Sequence, residues 1–338
     1  MMTEKSKFLA NFSSAAKNVS RNRGLWALVA VLIIGAAFPG PSEKSKLGAF
    51  FSWDYHRDML REYSIHGILA CGMTIVILAG GIDLSVGSLL GMTGMLFAYV
   101  MIKLQLSPFL AIPVTLLAGS AAGLLNGAVI TTFKIQPFVA TLAMMVSARG
   151  LAKFIGGGRT IQAGTQPLPP IFEQIRAQIL SNNLAIVTII FLLSVAIFWI
   201  VLNRTRFGRH LFAIGGNEEA ARLSGVRVNL VKATAFGISG LMSAVAGICY
   251  AGSTDYGNPE AGTAYELTAI AMVVIGGTSL MGGRGGILLT LLGALIIGYT
   301  EKILSINGVK IAYEFMVKGA IIVAAVIIQQ TGRRTRTS

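Results

Sequence analysis

Few side chains in this chain of 338 residues are placed to do chemistry, and those few stand alone in apolar surroundings. Asp83 and Ser85 lie in Gly80-Gly81-Ile82-Asp83-Leu84-Ser85-Val86-Gly87, between two apolar runs. Asn126 sits among Leu124, Leu125 and Val129, and Glu266 follows Tyr265 at the head of another run. His56, His66 and His210 are scattered, with no zinc-binding His-Glu-x-x-His helix and no Gly-x-Ser-x-Gly nucleophile turn. Cys71 and Cys249 stand singly inside apolar runs and read as small buried residues, not as a disulfide or metal site. The carboxylates are too few and too separated for a proton relay. What remains is binding and passage: a charge at bilayer depth costs about 2.5–3.5 kcal/mol on insertion scales and is seldom idle.

Each candidate keeps two readings at this level. Asp83 or Ser85 caps the next helix at a membrane surface, or residues 64–101 form one discontinuous span whose broken middle lines a cavity. Asn126 makes an inter-helix hydrogen bond or lines a polar pathway. Glu266 is interfacial or lies near the midplane. Arg149 and Lys153, one turn apart near a span end, read as side chains that snorkel towards headgroups. The run Gly276-Gly277-Thr278-Ser279-Leu280-Met281-Gly282-Gly283-Arg284-Gly285-Gly286 lacks the Lys and Ser or Thr that a phosphate loop needs after its second glycine, so it holds no nucleotide in that way. It shares the spacing Gly-Gly-x-x-Leu-x-x-Gly with residues 80–87, which duplication and chance both explain.

The elements that must position these groups are membrane helices. The chain is 54% hydrophobic and 12% charged, with a mean hydropathy of +0.70, against about 25% charged residues in ordinary soluble domains. A net charge of +14 does not signal nucleic acid here, because the basic residues fall mostly in tails and short gaps beside apolar runs, as the positive-inside rule requires. Ten apolar runs can be read, at 25–38, 64–79, 86–102, 108–132, 137–155, 184–202, 230–251, 264–276, 286–303 and 311–328. The expectation is an all-α polytopic bundle of about ten transmembrane helices, a single domain over 25–329, with a 1–24 tail and a basic 330–338 tail both in the cytoplasm.

Residues 42–63 mix charges with Phe50, Phe51 and Trp53 and read as an interfacial segment outside the membrane. In the polar gap 156–183, Ile171, Phe172, Ile175 and Ile179 suit one face of a short helix lying on the outer surface. Gly119, Gly123 and Gly127, with Gly240, Ser243 and Gly247, mark faces where helix backbones approach closely.

The most basic gap is 203–232, where Arg204, Arg206, Arg209, Arg222, Arg227 and Lys232 outnumber Glu218 and Glu219. Gly215-Gly216 reads as a chain break, Asn217 as the N-cap of a helix with both glutamates in its first turn, and Gly225 as its stop. So short a helix has little stability in water and needs a docking surface.

At these residues the chain resembles a known family. Glu219-Ala220-Ala221-Arg222-Leu223-Ser224-Gly225 matches the Glu-Ala-Ala-x-x-x-Gly pattern of permease subunits in ATP-binding-cassette importers. The segments GGIDLSVGS (80–88), PFVATLAMM (137–145), GGRT (157–160), GRHLFAIGGNEEAARLSGV (208–226) and YELTAIAMVVIGGTSLMGGRGG (265–286) are similar to the sugar permeases of the ribose, xylose, arabinose and galactose group. The likeness runs from about residue 60 to 328.

The resemblance implies a homodimeric pore in a bacterial inner membrane, a cytoplasmic ATP-binding subunit on each copy, and a periplasmic or extracellular sugar-binding protein. It places Glu218, Glu219, Ala220, Ala221, Arg222 and Gly225 at the ATPase as a coupling helix. Because the external protein would select the sugar, the pore needs few polar groups, and Asp83, Ser85, Asn126 and Glu266 are expected to shape it. No catalytic residue, metal or cofactor is expected. A branched-chain amino-acid or nucleoside permease is the nearest alternative, and an ATPase-independent carrier or an intramembrane enzyme are more distant ones.

Overall fold

The computed structural model describes residues 23–42, 45–165, 167–180 and 183–334. Lys5, Lys7, Lys17, Arg21, Glu43, Lys44 and Arg336 lie outside them. The described chain is helical: α1 (Arg23–Ala37), α2 (Trp53–Leu78), α3 (Val86–Ala98), α4 (Pro108–Phe133), α5 (Pro137–Gly156), α6 (Pro170–Arg176), α7 (Ile186–Arg204), α8 (Arg206–Gly216), α9 (Glu218–Leu223), α10 (Val228–Thr254), α11 (Tyr265–Gly276), α12 (Ile287–Ile306) and α13 (Ile311–Arg334). A π-helical turn, Tyr99–Lys103, prolongs α3. Two small antiparallel ladders complete it, Ile161–Gln162 with Tyr256–Gly257 and Gln178–Ile179 with Leu184–Ala185.

Among the described residues, six helices are long and apolar enough to cross a membrane: Val86–Lys103, α4, α5, α7, α10 and α12. This is a multi-pass helical membrane protein. The other four apolar runs fall on Gly24–Ala37 and α11, which are shorter, and on α2 and α13, whose sequences include charged residues.

Local chemistry explains the boundaries. Ser107, Gln136 and Pro169 precede prolines at the first position of α4, α5 and α6, where the missing N–H has no intrahelical partner to lose. Lys134 takes a left-handed φ of 54° between α4 and α5, closing that corner in three residues.

Three helices form the centre: 83% of the α3 span and 78% of α10 are buried, and α2 is buried almost throughout from Tyr63 to Leu78, whereas α4 and α5 each bury 22% and stand at the periphery. The two glycine faces read from the sequence meet each other. A Cβ on Gly123 would lie 3.0 Å from the Gly240 nitrogen, and one on Gly119 2.7 Å from Ala244 Cβ. Gly247 packs on the other side, where its Cβ would be 2.7 Å from the Leu90 carbonyl. Small residues therefore let α10 touch α4 and α3 backbone to backbone.

Several expectations are corrected here. Residues 53–63 are not set apart from the following apolar run, because α2 runs unbroken from Trp53 to Leu78. The Ser52 hydroxyl caps it by accepting from the Tyr55 N–H at 3.3 Å, and its charged first turns neutralise one another, with Arg57 3.0 Å from Asp54 and 3.2 Å from Asp58. Gly215-Gly216 does not interrupt the helix: α8 runs through both glycines and stops at Gly216, with Asn217 extended behind it. The 171–179 helix stops at Arg176 and Ile179 joins a strand. Phe172 turns inward against Phe97, ring centroids 5.4 Å apart, so α6 is docked on the bundle.

Candidate functional site

The turn between α2 and α3 carries the first group of candidates. Asp83 and Ser85 are completely buried and Asn126 is 2% exposed, so none caps a helix at a surface. Asp83 Oδ1 accepts from the Ser85 N–H at 3.0 Å and from its hydroxyl at 2.5 Å. Ser85 Oγ in turn accepts from Asn126 Nδ2 on α4 at 3.1 Å. Thr141 of α5 donates to the Ile82 carbonyl at 3.3 Å, and Ser239 of α10 stands beside the same carboxyl. A buried carboxyl is tolerable only when hydrogen-bonded. The arrangement pins the irregular 79–85 segment between three helices, and Asn126 supplies an inter-helix bond. The span 64–101 is resolved into two helices.

A second interruption lies where the sequence showed only a loop. Between α10 and α11 the chain runs irregularly through 258–264, with Gly262 and Ala264 at φ +74° and +65°, before α11 starts at Tyr265. The first turn of α11 is held from two sides. Tyr265 lies against the His66 ring of α2 with centroids 4.0 Å apart, and Thr268 accepts from Lys318 Nζ of α13 at 3.0 Å. Lys318 also pairs with Glu301 of α12 at 2.8 Å, a carboxylate that accepts from the Tyr63 hydroxyl at 2.8 Å.

Glu266 faces the other way. Its Oε2 lies 2.5 Å from where a Cβ on Gly87 would be, a space open only because residue 87 is glycine. It borders a cavity of about 480 Å³, lined also by Ser88, Arg149, Lys153, Glu260 and Thr263. The volume falls within the range of small-molecule sites. Arg149 and Lys153 both find partners on the interrupted segment. Arg149 Nη1 donates to the carbonyls of Pro259 at 2.5 Å and Ala261 at 2.7 Å, and Lys153 pairs with Glu260 at 2.8 Å. The interrupted segment gives these cations partners that a continuous helix would not offer. Of the four expected pathway residues, the structure thus puts Glu266 at a cavity and gathers Asp83, Ser85 and Asn126 into a separate buried cluster. Arg149 was missed as a site residue because its partners lie 110 and 112 positions away.

The 203–232 stretch forms the end of α7, then α8, α9 and the start of α10. Asn217 Oδ1 accepts from the Ala220 N–H at 3.0 Å, with Glu218 and Glu219 in the first turn. Gly225, at φ +82°, turns the chain out of the helix, and the Val226 N–H closes on the Ala221 carbonyl at 3.1 Å. Ala221 is the buried face of α9, while Glu219, Ala220, Arg222 and Gly225 are exposed. Glu218 bridges Arg222 at 3.1 Å and Lys232 of α10 at 2.5 Å. Burial pushes its carboxyl up, but the hydrogen bonds and charges of Lys232 and Arg222 outweigh that and hold it below the usual carboxylate range. Behind α9, Gly215 packs on the Gly282-Gly283 turn, where a Cβ on Gly282 would lie 3.0 Å from both Gly215 Cα and Gly80 Cα.

A helical membrane bundle with two interrupted segments, a cavity bordered by charged side chains beside α5 and a capped, exposed helix at one end defines an integral-membrane permease. The chain belongs to the family described as branched-chain amino acid transport system / permease component, whose model matches residues 57–326. It is 42% identical over 280 residues to the ribose import permease protein RbsC of Haemophilus influenzae, covering 82% of this chain and 85% of that one. Likeness to the Bacillus subtilis ribose import permease protein RbsC is 42% over 274 residues, 81% and 84% of the two chains. The xylose transport system permease protein XylH of Escherichia coli is 33% identical over 343 residues, 85% and 87%. No solved structure matches the chain.

Proposed function

We propose that this chain is the membrane subunit of an ATP-binding-cassette importer and forms the pathway for a pentose or hexose. The observation that carries the reading is α9: a capped six-residue helix with an exposed Glu219-Ala220 and Arg222 face, tied by Glu218 to Lys232 of the long central helix α10. A helix this short is stable only when anchored. Movement imposed on its exposed face passes to α10 as a rigid-body shift. Relatives named for import of ribose and transport of xylose supply the substrate class.

In this reading the bundle crosses a bacterial inner membrane ten times with both termini in the cytoplasm, and a cytoplasmic ATP-binding subunit grips Glu218, Glu219, Ala220, Ala221, Arg222 and Gly225. A periplasmic or extracellular sugar-binding protein docks at the end bearing α6 and the two small ladders. A second copy of the chain completes the pore, for a charged cavity bordered by the peripheral helix α5 is ill suited to face lipid. Asp83, Ser85, Asn126 and Glu266 shape the pathway, and ATP is hydrolysed by the partner subunit. The family description favours a branched-chain amino acid as the alternative cargo.

Reconstitution in liposomes with the ATP-binding and sugar-binding partners tests the reading. Ribose or xylose uptake is expected only with both partners and ATP present. Uptake by the permease alone, or uptake of leucine in place of any sugar, overturns it.

A further inference from the structure

The cavity beside Glu266 is assembled from elements far apart in sequence: Ser88 from α3, Arg149 and Lys153 from α5, and Glu260, Thr263 and Glu266 from the interrupted segment. Its two cations and two carboxylates balance, so it offers no net attraction to a charged solute. It mixes guanidinium and ammonium donors with carboxylate acceptors and hydroxyls that serve as either. That is the complement of a neutral polyol, in which every hydroxyl both donates and accepts.

One wall is the 258–264 strap, on which Pro259, Ala261 and Gly262 are buried. The 258–264 strap is held to α5 by Arg149 through the Pro259 and Ala261 carbonyls and by the Lys153–Glu260 pair. Against α3 it lies backbone to backbone, where a Cβ on Gly91 would stand 2.7 Å from the Ala261 carbonyl. Among the described residues, the hydrogen bonds of Arg149 all leave from Nη1, so its Nε and Nη2 donors are left for a ligand.

We propose that this cavity is a binding station for a neutral monosaccharide on the translocation path, that Glu266 and the free donors of Arg149 contact the sugar, and that Arg149 is also the latch holding the 258–264 strap against α5. The proposal rests on the reading of the chain as a sugar permease and goes beyond it by fixing where the sugar pauses and what opens. Sugar hydroxyls recruit the guanidinium, its grip on the two carbonyls weakens, and the strap moves from α3.

A thiol at Gly150 reports on the station in the assembled transporter with its ATP-binding and sugar-binding partners. An added Cβ at Gly150 has nothing within 4 Å, and the two native cysteines are buried. Ribose presented during turnover is expected to slow labelling of Gly150→Cys by a small polar thiol reagent at least 3-fold, with leucine without effect. Arg149→Lys keeps the charge but not the fork that spans two carbonyls. It is expected to admit ATP-independent ribose leak several-fold above wild type, which a loss of packing elsewhere in a sealed bundle would not produce. If that variant is not inserted, the labelling result alone decides. Ribose uptake without protection at Gly150→Cys overturns the station while sparing the sugar-permease reading; absence of ribose uptake in the wild-type complex sinks the reading itself. Protection by leucine alone replaces the sugar with an amino acid and overturns the proposal.

Discussion

The Gly283 N–H donates to the Leu78 carbonyl at 3.1 Å, so the turn after α11 is bonded to the end of α2. The two Gly-Gly-x-x-Leu-x-x-Gly runs therefore meet, and Gly215 of α8 fills the space between them: Cβ atoms built on Gly282 and Gly283 would come within 3.0 Å and 2.8 Å of its backbone. One junction joins the Asp83 turn, the base of α11 and the segment leading into α9. Pressure on α9 thereby reaches the 79–85 interruption and the turn after α11 through backbone contacts that cannot yield as side chains do.

Replacing Gly215 is predicted to be costly where replacing its neighbour is not. A methyl group at 215 collides with the Leu78 carbonyl and the Gly283 nitrogen, whereas Gly216 has nothing within 4 Å. Overpacking of this kind costs about 1–3 kcal/mol, and both changes gain similar helix propensity. Thermal unfolding in detergent is expected to show Gly215→Ala several degrees below Gly216→Ala. Equal melting temperatures would remove the junction from the account.

Lys318 and Glu301 are predicted to depend on each other. Each is only 13–14% exposed on its side chain and they lie 2.8 Å apart, so Lys318→Met strands a carboxylate at a cost of about 3–5 kcal/mol. Adding Glu301→Gln is expected to recover much of that loss. The check is a double-mutant cycle on thermal stability; additive losses would mean that the pair is not coupled.

These particulars mark what the sequence can and cannot convey. The cap at Asn217, the stop at Gly225 and the Gly119-Gly123-Gly127 face were legible because their physics is local, set by neighbouring side chains or helical spacing. The continuity of α2 through its charged first half was not legible, since the Arg57 pairs with Asp54 and Asp58 that neutralise those turns are not visible in residue type. Arg149 was read as a headgroup anchor because its carbonyl partners sit on another segment, and a backbone carbonyl leaves no trace in residue type. The 258–264 interruption, rich in Gly, Pro and Asn, reads as an ordinary loop until α3 and α5 are seen on either side of it.

Acid is predicted to loosen α9 through Glu218. Its carboxyl titrates below the ordinary 4.5 in the folded protein because the ion pairs with Lys232 and Arg222 outweigh burial. A depressed carboxylate contributes its stabilisation in full above the unfolded value and loses it as pH falls through the folded one. Amide exchange over 217–225 is therefore expected to be steady from pH 7 to about 5, after correction for intrinsic rates, and to lose protection below that. Glu218→Gln should show weak protection at every pH; a wild-type profile flat down to pH 3 would contradict the assignment.

Charge reversal at Glu219 separates docking from folding. Its side chain is 73% exposed, and its ion pair with Arg222 is loose at 3.8 Å. Glu219→Arg places a cation in the first turn of α9, where the helix dipole disfavours it by about 0.3–1 kcal/mol. The Asn217 cap, the Glu218–Lys232 bridge and the Gly225 turn remain, so insertion and thermal stability should change little. If the exposed face is gripped by the ATP-binding partner, the same substitution should cut sugar uptake more than 10-fold and weaken co-purification of that partner. Both quantities are measured on one preparation, which matters because reduced uptake with the partner still bound would locate the defect in transmission. Unchanged uptake would show that the motor engages the permease somewhere other than α9.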